Sequence, residues 1–169
     1  MGFDLTGMNP QGATPEPKWG GEDPWIKKNG SDSQFEMNPQ IREEYDDFMR
    51  SKIEWQDAND GAYFRNNVWS WRPLWHFVTS MCGDILTDKD IESGNYNDGH
   101  KICKTKAKRI ATRLRKMLKN GDIAAYESAY ARHNEGLEET DWNKNYPFSI
   151  QNVREFERFC ANSGGFEIW

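Results

Sequence analysis

The sequence is poor in cysteine, and the little it has is unpaired. Cys82, Cys103 and Cys160 are far apart and odd in number. That excludes a disulfide framework and a Cys-x-x-Cys metal or redox site, and it predicts reduced thiols in a reducing compartment. No apolar run approaches the length of a bilayer-crossing helix, and no signal-peptide pattern is present. The opening MGFDLT fits the loose N-myristoylation pattern at Gly2, but no basic cluster follows to strengthen such an anchor, so the match is read as coincidence. GxSxG, HExxH and P-loop signatures are all missing. His76, His100 and His133 stand in unrelated contexts, none with a partner at metal-ligand spacing. The sequence therefore predicts no catalytic residue, no metal and no cofactor, and a soluble protein with no membrane partner.

Aliphatic residues are also scarce. Hydrophobic residues make up 36% of the 169, yet they include 8 Trp, 9 Phe and 6 Tyr. Each ring buries a large area, so a ring-rich core can replace many aliphatic side chains. With 29% charged residues and a net charge of -5, the chain does not have the balance of a protein that coats nucleic acid. Residues 101–119 are the exception, with nine bases and no acid. Such a run is either a solvated face lying against acidic neighbours or an anion-binding surface, and the first is the commoner outcome.

The predicted fold is mainly α, in the α+β class: one compact domain over 1–169, with about five helices and a small terminal sheet. GFDLTG and FEIW, near the two ends, read as short strands able to pair. Residues 11–37, rich in Gly, Pro, Asp and Ser, read as a long loop pinned by Trp19 and Trp25. Asn38 and Pro39 mark a helix start. A second helix is predicted from about Trp69 to Cys82, and a short turn follows Thr87, with Asp90 completing a capping box. The clearest helix covers 100–119, with Ile102, Cys103, Ala107, Ile110, Ala111 and Leu114 on its apolar half. Another helix presents Ile123, Tyr126, Ala129 and Tyr130. A last one is capped by Ser149, with Val153, Phe156, Phe159 and Cys160 inward.

The strongest site candidate is YFRNNVWSWRPLW at 63–75. Trp71, Trp75 and Val78 have the spacing of a buried face, so these rings are mainly core. Arg65, Asn66, Asn67 and Arg72 lie among the rings, and where buried they need hydrogen-bond partners. Either they tie down backbone, or they line a pocket together with Trp69 and Trp71. Arginine offers a planar fork for phosphate or carboxylate, asparagine can read a base edge or a sugar hydroxyl, and indoles offer stacking faces. Two further clusters could join them: Asn95, Asn97 and His100 in GNYNDGH, ahead of the basic helix, and Gly164 and Gly165, where close approach by a ligand is sterically easy. The acidic DKDIESGNYND has its glycine at the wrong offset for an EF-hand and lacks glutamate at position twelve, so calcium is rejected.

GFDLTGMNP, YFRNNVWSWRPLW, GNYNDGHKI, YPFSIQNVREF and SGGFEIW, in that order, resemble a widespread family of small bacteriophage and prophage proteins without an assigned activity. Similar proteins carry Cys-x-x-Cys pairs before the YPFS motif; here that region reads EGLEETDWNKN, so the resemblance brings no zinc. A run of tryptophans usual in the family is interrupted by Ser70. The resemblance implies a phage accessory protein in the host cytoplasm. Together with the site composition it suggests a binder of a small anionic, nucleotide-derived molecule that acts against host defence signalling without turnover. Alternatives are an inhibitor that docks on a host protein and a hydrolase of a nucleotide-like ligand. A homo-oligomer is left open, and a nucleic-acid partner is disfavoured.

Overall fold

The computed structural model describes residues 2–30 and 33–169. These form two compact units, Met1–Gly12 with Asp60–Trp169, and Ala13–Asn59.

The larger unit is built on a four-stranded antiparallel sheet in the order β4-β1-β6-β5. Its strands are β1 (Gly2–Gly7), β4 (Tyr63–Asn67), β5 (His100–Cys103) and β6 (Gly165–Ile168). The two terminal strands pair as the sequence predicts, with Leu5 opposite Ile168. Side chains alternate across the sheet. Phe3, Leu5, Phe64, Asn66, Ile102, Phe166 and Ile168 are buried on one face. The other face is polar and carries ion pairs between residues directly opposite in register, Asp4 with Arg65 and Lys101 with Glu167.

Five helices complete this unit: α2 (Val68–Cys82), α3 (Asp88–Ser93), α4 (Lys104–Asn120), α5 (Asp122–Glu135) and α6 (Ile150–Asn162). Asn67 caps α2, the Thr87–Asp90 capping box opens α3, and Ser149 caps α6. Trp71, Leu74, Trp75, Phe77 and Val78 of α2 meet Ile110 and Leu114 of α4 and Val153, Phe156 and Phe159 of α6 in one ring-rich core. Trp71 lies between Phe3 and Trp75, with ring centroids 5.3 Å away on each side.

The second unit contains α1 (Arg42–Ala58) and a two-stranded hairpin of β2 (Trp25–Lys27) and β3 (Phe35–Met37). None of its described residues is buried; Trp19 packs on Tyr45 and Phe48 instead. Residues 13–59 hold eleven acids and six bases, so the whole net charge of -5 falls there and the rest of the chain is balanced.

Six α-helices are present among the described residues, in keeping with the expected mainly helical α+β fold of about five. Three expectations are corrected. The stretch 11–37 is not all loop, because backbone pairing joins Trp25–Lys27 to Phe35–Met37. Helix α1 begins at Arg42, and Asn38 makes a local turn in which its side chain accepts from the Gln40 N–H. Residues 100–103 form a strand, which leaves Cys103 exposed as the residue preceding α4.

Gly94 tests the core. A Cβ there would run into the Trp75 indole. Gly94→Ala is expected to destabilise the protein by about 1–3 kcal/mol, the usual range for overpacking. Urea denaturation reads this directly, and an unchanged midpoint would mean that the indole yields freely.

Candidate functional site

The residues singled out in the sequence are not gathered into one pocket. Arg65 lies on the polar face of the sheet, its Nε 3.4 Å from an Asp4 oxygen. Asn66 is on the core face. Its Nδ2 donates to Asn152 Oδ1 at 2.8 Å, and Asn152 in turn donates to the Ser70 carbonyl, which ties β4 to α6 and α2. Asn67 caps α2 by accepting from the Ser70 N–H. Trp71 is fully buried and donates its indole N–H to the Gly94 carbonyl at 2.8 Å.

The outlying clusters are also occupied by the chain itself. Asn95 donates to the Ile91 and Glu92 carbonyls, and Asn97 to the Gly2 carbonyl. Strand β5 separates the GNYNDGH turn from the first turn of α4. Gly164 and Gly165 have φ of +68° and +98°, and the neighbours that crowd them are the backbones of Asn9 and of 102–104. Among the described residues no buried side-chain polar atom lacks a partner.

His100 belongs to a buried polar hub. Asp90 is 3% exposed and accepts from the Thr87 N–H and hydroxyl, bonds His100 Nε2 at 2.9 Å, and pairs with Lys106. The basic stretch 101–119 is partly neutralised by acids in the same manner. Arg109 and Arg113 meet Asp84, Arg115 meets Glu157, and Lys101 on β5 meets Glu167. No ion pair among the described residues engages Lys104, Lys108, Lys116 or Lys119.

Trp69 and Arg72 lead, through their shared neighbour Tyr146, to an open cleft. Tyr146 has the Trp69 ring 4.9 Å from its own and the Arg72 guanidinium 5.9 Å above it, and Arg72 donates to its hydroxyl at 3.2 Å. Arg72 and Tyr146 help line an open cleft of about 510 Å³. One wall is Arg72, Pro73 and His76 of α2. The second is Tyr130, His133 and Asn134 of α5. The third is the connector after α5, through Leu137, Asp141, Trp142, Asn143 and Tyr146.

Local rules place each of these groups. Arg72 and His76 are one turn apart on α2, and Tyr130 is one turn from His133 and Asn134 on α5, so each set shares a face. Tyr130 Oη donates to the Tyr146 carbonyl at 3.0 Å, and Asn134 donates to the Asn143 and Tyr146 carbonyls at 3.4 Å, which fixes the connector. Asp141 accepts from the Asn143 N–H and starts the short 3-10 turn Trp142–Asn145.

The cleft differs from the rest of the protein in what it leaves unused. The side chains of His76, His133 and Trp142 make no hydrogen bond, ion pair or ring contact among the described residues. Trp142 is 73% exposed. Arg72 uses one nitrogen on Tyr146. The site thus offers a guanidinium, two imidazoles and an indole face. Sequence reasoning found Arg72 and Trp69 but missed His76, His133 and Trp142, although the helical spacing of Arg72 with His76 was a readable sign. No group of three His, Cys, Asp or Glu able to hold a metal occurs among the described residues.

Neither the protein-family models, nor the curated proteins, nor the solved structures contain a match to this chain. No described helix is long and apolar enough to cross a membrane.

The Asp90 hub has a definite pH signature. Burial alone would raise the Asp90 carboxyl, but the bonds from Lys106, Thr87 and His100 outweigh it and hold the group well below the usual carboxylate range. The unfolded carboxyl titrates near about 3.9. The hub's stabilisation is therefore complete above about pH 4 and is lost as pH falls toward the folded-state value. Asp90→Asn is expected to lose on the order of 3 kcal/mol at neutral pH, as when a buried pair loses one partner. Its denaturation midpoint should then fall less steeply with acid than that of the wild type. Equal slopes for the two proteins would show that Asp90 is not the group responsible.

Proposed function

We propose that the protein is a phage accessory protein that binds a small anionic, nucleotide-derived molecule in the cleft between α2, α5 and the 137–146 connector, without turning it over. The observation that carries this reading is the set of side chains left without internal partners there: His76, His133, Trp142 and most of the Arg72 guanidinium. A guanidinium and two imidazoles supply donors for an anionic group, and an exposed indole supplies a stacking platform for a planar one. The cleft volume, about 510 Å³, falls in the range of small-molecule sites, roughly 300–1,000 Å³. Sequestration of a host defence signal is the role proposed for such binding, in the host cytoplasm.

A second reading, docking on a host protein, draws on a different feature. Trp25 and Phe35 are exposed on one face of the β2–β3 hairpin and Ile26 on the other, and exposed aromatic residues of this kind are common at interfaces.

Native mass spectrometry of the full chain incubated with a mixed nucleotide pool separates the two. A one-to-one adduct is expected in the wild type and in Arg65→Ala. Arg72→Ala and Trp142→Ala should each bind about tenfold more weakly or worse, the loss expected for a charge-assisted bond or a stacking face. An adduct that survives both cleft substitutions would place the ligand elsewhere, and no adduct at all would favour the protein-docking reading.

A further inference from the structure

We infer that the molecule taken by this cleft is a mononucleotide whose phosphate is a diester with a single negative charge, the cyclic mononucleotide class, and not a nucleoside polyphosphate. The inference rests on the reading of the cleft as a nucleotide site and narrows it by charge.

Two lining residues carry a fixed charge near neutral pH, Arg72 and Asp141. His76 and His133 add ring nitrogens that can donate or accept hydrogen bonds. The nearest further cation of the connector, Lys144, is already committed to the Leu137 carbonyl and the Glu139 carboxylate. The cleft thus presents one guanidinium for an anion and one carboxylate against it. A single phosphodiester charge can be matched by the Arg72 fork, with an imidazole N–H completing its bonds. Each additional phosphate charge would leave water without a cation to meet it, and would lie in the same cleft as the Asp141 carboxylate. Sites built for polyphosphates differ in kind, combining lysine, glycine-rich backbone amides and a divalent cation.

The planar half of the ligand has a place as well. Tyr146 is already covered by Trp69 and Arg72, whereas Trp142 has no ring partner among the described residues and is mostly exposed. Trp142 is therefore the face on which the base stacks, with the phosphate toward Arg72.

The test is equilibrium dialysis of the full chain, near neutral pH and at fixed ionic strength, against the 3′,5′-cyclic monophosphate and the 5′-triphosphate of each of the four bases. For at least one base, the cyclic diester should bind at least tenfold more tightly than its triphosphate. Asp141→Asn keeps a side-chain oxygen for the Asn143 N–H, and it is expected to narrow that gap by improving triphosphate binding more than diester binding. A triphosphate that binds as tightly as the diester, or more tightly, overturns the inference and leaves the nucleotide site standing. Failure of all eight compounds to bind removes both.

Discussion

Two buried indoles set the geometry of the larger unit. Trp71 and Trp75 stack at 5.3 Å within α2 and are almost fully buried, so each N–H must find an acceptor away from water. Both find it at the end of α3, in the carbonyls of Gly94 and Ile91. A helix leaves its last carbonyls unpaired, and here the indoles supply the missing donors. The arrangement works only because Gly94 has no side chain to displace Trp75. On its other side Trp71 stacks on Phe3 of β1. A single column of rings therefore fixes the rotation of α2 about its axis. With that rotation fixed, Arg72 and His76 cannot face the core and are presented together to the cleft.

The same column explains what could be read from the sequence. Trp71, Trp75, Val78 and Cys82 repeat at helical spacing and are buried as that spacing requires, as are Val153, Phe156, Phe159 and Cys160 of α6. Capping residues Thr87 and Ser149 were legible because their chemistry is local. Strand β4 was not, because its pattern inverts the usual sense: Tyr63 and Arg65 lie on the outer face while Asn66 points inward. A buried carboxamide at a core position makes sense only once Asn152 is known to meet it, and Asn152 lies 86 residues away. Strand β5 was hidden for a related reason, since Ile102 continues the apolar stripe of the helix that follows.

The candidate site was less legible than the fold, and for a physical reason. Polar residues crowded among aromatic ones drew notice because burial would leave them wanting partners. The fold provides those partners: Asn152 for Asn66, the Ser70 amide for Asn67, Asp4 for Arg65 and Asp90 for His100. Nearly the same holds for the basic stretch, where acids remote in sequence neutralise five of the nine cations. Need for a partner is visible in a sequence, but its satisfaction by a distant residue is not. Of the groups left over, His76 directly follows the aromatic stretch, while His133 and Trp142 come from stretches with no unusual composition.

The cleft finally depends on a segment that looks like plain linker. Residues 136–146 contain few apolar side chains, and their conformation is imposed by α5. Glu127, Tyr130 and Asn134 lie about one turn apart on that helix, and each bonds to backbone beyond it, at Ile150, Tyr146 and Asn143. One face of α5 is thereby spent on holding the connector down. Lys144 reaches back to the Leu137 carbonyl and closes the loop on itself. This wall of the cleft is held at its base by hydrogen bonds to main chain, while its tip carries the exposed Trp142. A planar guest landing on that ring would meet a surface already in position, and the ordering of the loop would not have to be drawn from the binding energy.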